Sequence, residues 1–276
     1  GEKMEILQVT LTPEESKYII ALSIREDKRI KKALEKGRIV FKGGSTVSKV
    51  CYLLCGEKVS VCGVVSKRGT KMNMDFSVPH VAILEDGKFY GIDDTFFRDI
   101  KNIKKDDVII CGANAIDNYG NAAMMVGSSL GGEVPYALSN WYGEGINIMI
   151  PAGYEKLVPG NINDIIKKTG RLKKKYSFGM AVGLVPLIGE IITEVSGIER
   201  LAKVKGTVIS AGGIGEAQGS ITMDISGESD ELDKIYEIIL KTKRMKKDDY
   251  NISECKSPNE YCKDHIACIY KRMSGV

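Results

Sequence analysis

The stretch that most constrains the fold is an apolar run that ends in two glycines. Residues 39–41 (Ile-Val-Phe) predict a buried strand, and apolar residues recur at helical spacing from residue 47 to residue 54. A strand, a tight turn and a helix in this order direct unpaired backbone N–H groups and the positive end of a helix dipole at one point. The stretch predicts a cradle for a phosphate or carboxylate, or a turn that needs glycine only for its backbone. The candidate ligand-binding residues of this turn are Gly43, Gly44, Ser45 and Thr46.

Segments typical of strands and of helices alternate over the first 170 residues. A helical pattern runs from Pro13 to Gly37, and buried-type strands are predicted near residues 59–65, 107–112 and 146–150. The Asp86-Gly87 pair between two apolar runs predicts a tight hairpin. Because alternating strands and helices favour βαβ units, we expect an α/β fold with a mostly parallel sheet flanked by helices.

The character of the sequence changes at residues 170–177, where a glycine is followed by a run of basic residues. The pattern after it, over residues 180–241, is β-α-β-β-α and resembles the ferredoxin-like split unit. We therefore expect residues 1–172 to form an α/β ligand-binding domain and residues 173–250 to form a small α+β domain. Residues 251–276 form a tail that contains cysteines.

A second polar stretch, residues 112–121, follows the predicted strand at 107–112, and a glycine cluster follows at 127–133. Ligands of parallel sheets bind beyond the carboxyl ends of the strands. We therefore expect these loops and the glycine turn to face one crevice, although Asn, Asp and Gly also form ordinary turns. The further candidate ligand-binding residues are Gly112, Asn114, Asn118, Gly127, Ser128 and Ser129.

These two stretches resemble a superfamily of sugar-phosphate and CoA enzymes. Strand-GGST-helix and strand-CGANAIDNYGNAAMMVGSSLGG are similar to ribose-5-phosphate isomerase, glucosamine-6-phosphate deaminase, CoA transferases and lactate-utilisation proteins. The second stretch also resembles the Gly-Ala-Asp loop of methylthioribose-1-phosphate isomerases and related initiation-factor regulatory subunits. The resemblance covers roughly residues 10 to 160 and implies a Rossmann-like domain whose first glycine loop contacts an anion.

The chain departs from this superfamily at the residues that would carry out chemistry. Asn114 replaces the acid of the Gly-Ala-Asp loop, and an amide cannot act as a general base. Asp117 matches a second acidic position of the pentose isomerases, and Glu133 is either a base or a helix-starting acid. A CoA transferase would need a glutamate nucleophile, for which Glu216 has a glycine-rich context in the C-terminal region. Two hypotheses follow: an isomerase or transferase with Asp117 and Glu133 as catalytic residues, or a non-catalytic metabolite sensor.

Histidine and cysteine residues give weaker signals. We expect His80 to be structural, and the cysteines at 51, 55, 62 and 111 to behave as small buried hydrophobes. The tail combines Cys255, Cys262, His265 and Cys268, which are zinc-ligand types. It lacks a close C-x-x-C pair and equally suits an amphipathic helix, so we predict no metal and no cofactor.

Composition narrows the class of partner. A net charge of +4 and 7% aromatic residues argue against binding of nucleic acid. The sequence has no apolar run of about 18 residues, so it predicts no membrane span. Seven cysteines, an odd number scattered through apolar segments, fit a reducing cytoplasm. The expected partner is a small anionic metabolite, and a homodimer is the default expectation.

Overall fold

The computed structural model describes residues 4–248, 250, 252–255 and 257–273, so residues 1–3, 249, 251, 256 and 274–276 of the three predicted regions lie outside it. The strands are β1 (Glu5–Leu11), β2 (Arg38–Lys42), β3 (Gly63–Ser66), β4 (Gly69–Met72), β5 (Val81–Glu85), β6 (Lys88–Gly91), β7 (Val108–Cys111), β8 (Ala115–Ile116), β9 (Ala122–Val126), β10 (Asn147–Pro151), β11 (Gly183–Leu187), β12 (Glu190–Ile192), β13 (Val204–Gly212) and β14 (Ser220–Gly227). The helices are α1 (Pro13–Arg25), α2 (Lys28–Lys36), α3 (Ser45–Cys55), α4 (Phe96–Asp99), α5 (Val134–Glu144), α6 (Ile162–Lys168), α7 (Glu194–Leu201), α8 (Ser229–Lys243) and α9 (Ile269–Met273).

A six-stranded sheet in the order β12-β10-β7-β2-β5-β6 forms the centre of the molecule. Neighbouring strands from β12 to β2 are parallel, whereas β5 and β6 are antiparallel to their neighbours. The predicted α/β fold is confirmed, and the sheet is mixed. The β5–β6 hairpin makes the sheet mixed, and the Asp86-Gly87 pair predicted this hairpin. In the structure both residues take the positive φ angles (49° and 70°) that a tight hairpin turn requires.

Each face of this sheet carries its own hydrophobic cluster. On one face, side chains from α1, α2 and α3 pack on Ile39, Phe41 and Ile110. On the other face, α4 and α5 pack on Val40 and Ile109, with Trp141 of α5 fully buried among them. Helices on both faces explain why the parallel strands read as continuous apolar runs instead of alternating ones. Within the described residues, none of the helices has the length and apolar character needed to cross a membrane.

The strands of the C-terminal region do not share one sheet. Strand β11 pairs with β9, and β12 extends the central sheet. Strands β13 and β14 form an antiparallel sheet whose third strand is β1, from the start of the chain. The cluster under that sheet includes Leu11, Ile19, Met223 and Ile235, so β1 and α1 share a core with β14 and α8.

The long helix predicted from residue 13 to residue 37 is two helices, α1 and α2. The chain leaves the helical conformation at Asp27, whose side chain accepts a hydrogen bond from the Arg29 N–H and caps α2. Short polar side chains compete for backbone donors in this way. Apolar residues recur at helical spacing on both sides of the break, so periodicity alone did not reveal it.

A buried ion pair fixes the end of the sheet at which the parallel strands begin. Asp107 is fully buried, and its carboxylate accepts hydrogen bonds from the backbone N–H of Arg38 (2.8 Å), the Arg38 guanidinium and the Lys104 N–H (2.9 Å). Arg38 also donates to the carbonyls of Asp99 and Asn102. The pair therefore joins the starts of β2 and β7 to the segment after α4.

We predict that Asp107→Ala lowers the free energy of unfolding by about 3–5 kcal/mol, because it leaves the Arg38 charge buried without its carboxylate. Urea denaturation followed by circular dichroism measures the loss. Asp106→Ala is the matched control, since Asp106 pairs with Lys32, whose side chain is 54% exposed. A loss at Asp107 no greater than at Asp106 would contradict the anchoring role.

Candidate functional site

The carboxyl ends of the parallel strands meet at one edge of the central sheet. Lys42, the last residue of β2, lies opposite Cys111 of β7, and β10 is in register with β7. A glycine or glycine pair follows each strand end: Gly43-Gly44 after β2, Gly112 after β7 and, one residue past Ala152, Gly153 after β10. This edge is the usual ligand position in parallel sheets.

Gly43 is held in a close approach of three backbone segments. Its N–H donates to the carbonyl of His80 (2.6 Å), and a Cβ built on it would lie 2.3 Å from the carbonyl oxygen of Ser60. The same Cβ would lie 2.8 Å from the Cys62 sulfur. No side chain fits there, so the glycine is needed for packing between β2, the segment before β3 and the segment before β5.

Gly44, Ser45 and Thr46 form an uncapped helix start. Gly44 is the N-cap of α3, and no side chain accepts a hydrogen bond from the first turn. The first N–H groups of a helix need a partner other than the helix itself. Gly44 and Ser45 are partly exposed, so these groups face an accessible region. Thr46 is buried at 6% exposure.

Gly112 brings the second and third strand ends to this helix start. A Cβ on Gly112 would lie 3.5 Å from Cγ2 of Val47, in the first turn of α3, and 3.7 Å from the carbonyl oxygen of Pro151. The glycine turn, the end of β7 and the end of β10 are therefore in contact. The structure thus brings Gly43, Gly44, Ser45, Thr46 and Gly112 together.

The stretch after β7, expected to be a ligand-facing loop, is largely a hairpin of β8 and β9. The Asn114 N–H donates to Ala123, and its side-chain oxygen accepts from the Met125 N–H (2.8 Å). Asn118 is exposed in the turn at the far end of this hairpin. Asn114 therefore remains beside the strand end, whereas the hairpin carries Asn118 away from it.

Asp117 has a structural role. Its carboxylate accepts hydrogen bonds from the N–H groups of Tyr119, Asn121 and Ile162 and from the side-chain amide of Asn121, all at 2.8–2.9 Å. Burial raises the pKa of Asp117, but these hydrogen bonds outweigh it and hold the pKa below its usual value. A carboxylate with its oxygens occupied and a low pKa is a poor general base, which argues against the catalytic role predicted for Asp117.

The glycine cluster after β9 packs against another segment. A Cβ on Gly127 would lie 2.3 Å from Met180, and the Gly127 carbonyl accepts from Arg171 (3.0 Å). Ser128 is partly exposed, and Ser129 begins a short exposed turn in which Leu130 has a φ of 64°. Gly127 is thus needed for packing on the segment that precedes β11.

Glu133 lies among other acids on the α5 side of the sheet. Burial raises the pKa of Glu133, and the negative charges of Asp93 and Asp94 raise it further. Asp93 in turn accepts from the N–H groups of His80 (3.0 Å) and Val81 (2.7 Å). The raised pKa of Glu133 suits a general acid.

Two residues expected to be structural, Cys62 and His80, lie at the glycine turn. The Cys62 sulfur is 3.7 Å from the Gly43 carbonyl oxygen, and the His80 imidazole stacks on Phe76 with ring centroids 5.3 Å apart. Lys42 lies beside them, with its amine 3.3 Å from the same carbonyl. Cys62 and His80 are 18 positions apart in the chain, and no motif links them, so the sequence held no signal for this group.

A buried carboxyl lies beyond the end of β12. Glu194, 1% exposed, accepts hydrogen bonds from the Tyr154 N–H (3.0 Å) and the Ser16 hydroxyl (3.1 Å). Burial raises the pKa of Glu194 to about 7, and the charge of Glu155 contributes in the same direction. Glu194 therefore ties α1 and the turn after β10 to the start of α7.

Neither Gly43 nor Gly44 lines either of two cavities found among the described residues. A cavity of about 280 Å³ lies between the β3–β4 hairpin and the tail, and one of about 240 Å³ lies between α3, residues 58–61 and residues 73–78. The tail residues Cys255, Cys262, His265 and Cys268 line the first. Among the described residues, no three His, Cys, Asp or Glu side chains are placed to hold one metal ion.

Comparisons with protein-family models, with curated proteins and with solved structures find no match for this chain.

We predict that serine is tolerated at Gly44 and not at Gly43. Gly43→Ser forces a Cβ against backbone and should cost about 1–3 kcal/mol of unfolding free energy or more. Gly44 has extended backbone (φ 169°), and its nearest neighbour to an added Cβ is 3.9 Å away. Gly44→Ser should therefore change stability by less than about 0.5 kcal/mol. Urea denaturation of both variants is the measurement, and equal losses would contradict the close approach.

We predict a pH dependence of stability from Glu194. Its carboxyl holds a proton up to about pH 7 in the folded protein but only up to about 4.5 in the unfolded chain. The folded state binds more protons between these values, so the free energy of unfolding falls by up to about 3 kcal/mol as pH rises through this window. Denaturant titrations from pH 4.5 to 8 should show this fall in the unmodified protein and lose it in Glu194→Gln. Parallel pH profiles of the two proteins would contradict the raised pKa.

Proposed function

We propose that this chain binds a small phosphorylated or carboxylated metabolite at the carboxyl edge of β2, β7 and β10. One observation carries the proposal: the uncapped first turn of α3 contacts the ends of two other parallel strands through Gly112. Backbone N–H groups at a helix start, combined with the helix dipole, attract anions. Gly44, Ser45 and Thr46 would supply the donors.

Positive side chains at the same edge support an anionic ligand. The Lys42 amine lies 3.3 Å from the carbonyl oxygen of Gly43, inside the turn. Lys156 follows the end of β10. Burial lowers the pKa of Lys156, the negative charge of Glu155 opposes this effect, and the charge of Lys17 adds to it.

The resemblance to sugar-phosphate isomerases and CoA transferases supports a Rossmann-like interpretation of residues 10–160 and a reaction by acid–base chemistry. Glu133 is the carboxylate that retains a catalytic role in this proposal, since Asp117 is occupied. The ferredoxin-like interpretation of residues 173–250 also remains a proposal, although its first strand, β11, pairs with β9. Asn114 favours the second candidate function, a non-catalytic metabolite sensor, because an amide replaces the acid that the resemblance implies.

The binding site is tested by filling it with a side chain. An aspartate at the N-cap of α3 would accept the hydrogen bonds of the first turn and place a negative charge where the ligand's charge lies. We predict that Gly44→Asp keeps the unfolding free energy or raises it by a few tenths of a kcal/mol while anion binding is lost. Gly44→Asn, which caps without a full charge, is the control and should bind anions more weakly than the unmodified protein but better than Gly44→Asp.

Thermal shift and calorimetry with inorganic phosphate, sugar phosphates, CoA esters and hydroxy acids provide the measurement. A ligand at one hundred times its Kd should stabilise the unmodified protein by about 2.7 kcal/mol. If no anion stabilises it, or if Gly44→Asp binds equally well, the proposed site is wrong. Turnover of the bound metabolite with and without Glu133→Gln then separates an enzyme from a sensor, because a sensor shows no turnover to lose.

A further inference from the structure

Cys62 and His80 form a thiol–imidazole pair at the glycine turn, and their surroundings suit a reactive cysteine. Cys62 is partly exposed, unlike the fully buried Cys51 and Cys111. The backbone of His80 is fixed twice, since Asp93 accepts from its N–H and Gly43 donates to its carbonyl. The imidazole Nε2 is buried and has no hydrogen-bond partner among the described residues. Buried polar atoms are rarely left without partners, so this nitrogen calls for a ligand or a catalytic role.

Charged groups around the sulfur favour the thiolate. Burial raises the pKa of Cys62, but the positive charge of Lys42 and a hydrogen bond with His80 outweigh it, and the pKa is held below its usual value. The hydrogen bond with Cys62 raises the pKa of His80, against the effect of burial, and Asp93 adds to the rise. The other thiol nearby, Cys111, stays protonated because burial raises its pKa to about 11.

We propose that Cys62 is a nucleophile, paired with His80, that takes the acyl group of an acyl phosphate bound at the glycine turn. This inference rests on the proposed anion site. Gly43 joins the two parts: its carbonyl lies 3.7 Å from the sulfur, and the next residues begin the uncapped helix. A phosphate in that helix start would lie beside the sulfur. A carbonyl bonded directly to the phosphate, as in an acyl phosphate, is then within reach of attack.

Cys62 and His80 supply the nucleophile and the proton that the acyl transfer needs. The Cys62 thiolate attacks the carbonyl carbon and forms a C–S bond, while the bond from that carbon to the phosphate oxygen breaks. The electron pair leaves with phosphate, which takes the proton of the His80 imidazolium. Water or another nucleophile then attacks the thioester and gives its proton to neutral His80, and the C–S bond breaks to restore the thiolate.

Two aromatic side chains stack over the His80 side of this pair. Phe76 stacks on His80, and Tyr261 of the tail lies against Phe76 with ring centroids 5.8 Å apart. The tail therefore reaches the site.

Alkylation of the intact protein tests the thiolate. Iodoacetamide should modify Cys62 with a midpoint pH below about 8.5, the value of a free cysteine. The ratio of the iodoacetate rate to the iodoacetamide rate should be roughly two- to fivefold higher at Cys62 than at the exposed Cys255. The reason is that the helix start attracts the carboxylate of iodoacetate. Peptide mass spectrometry separates the two cysteines within one sample. Equal rates at Cys62 and Cys255 with both reagents would overturn the proposal.

Substitutions of His80 and Lys42 test whether these residues cause the reactivity of Cys62. His80→Asn and Lys42→Met should each raise the midpoint pH of Cys62 alkylation, and an unchanged midpoint in both would overturn the pairing. Gly44→Asp should abolish the preference for iodoacetate, and Gly44→Asn, which carries no full charge, shows how much of any change in the iodoacetamide rate comes from the added carboxylate. If Cys62 reacts fast with iodoacetamide but the protein binds no anion, Cys62 is a reactive thiolate without an anion site. That result would refute both the proposed function and the acyl phosphate substrate.

Acetyl phosphate is the probe for acyl transfer. It should place one acetyl group on Cys62, release inorganic phosphate, and give a thioester that hydroxylamine removes. Cys62→Ser should lose this acetylation, whereas Cys255→Ser should keep it. Acetylation confined to lysines, or equal acetylation of Cys62 and Cys255, would contradict a phosphate-directed nucleophile.

Discussion

The close approach of backbone segments at Gly43 is the constraint on which the site depends. One residue without a side chain allows the end of β2, the segment before β3 and the segment before β5 to meet. Because these segments meet, the start of α3 remains open toward the sheet edge, and Cys62 and His80 lie beside it. Any side chain at this position would separate the helix start from the thiol–imidazole pair.

Polar groups are paired within the protein at the starts of the parallel strands, and some are left unpaired at the ends of these strands. At their starts, Asp107 and Arg38 form a buried pair in which each side-chain nitrogen and oxygen atom has a hydrogen-bond partner inside the protein. At their ends, the α3 turn lacks a side-chain cap and the His80 Nε2 lacks a partner within the described residues. Satisfied polar groups hold a fold rigid, whereas unsatisfied ones mark where another molecule can bind. The open groups at this edge therefore support the candidate site.

Much of the fold could be predicted from local patterns. The apolar runs at β2, β7 and β10 and the Asp86-Gly87 turn gave the central strands and the hairpin, because each signal lies within a few residues. The pairing of β1 with β14, which joins residues more than 200 positions apart, left no local signal. The break at Asp27 was missed because an apolar periodicity continues across it.

The glycine turn of the site could be predicted from residues 39–54 alone, since a strand, two glycines and a helix require no distant partner to form. The polar residues that join this turn come from distant segments and could be identified only in the folded chain. Asp117 looked like a base and is occupied by hydrogen bonds from its own hairpin and α6, whereas Cys62 and His80 looked structural and meet at Gly43. The physical reason is that reactivity depends on which groups are desolvated and paired, and that is set by contacts between segments far apart in the chain.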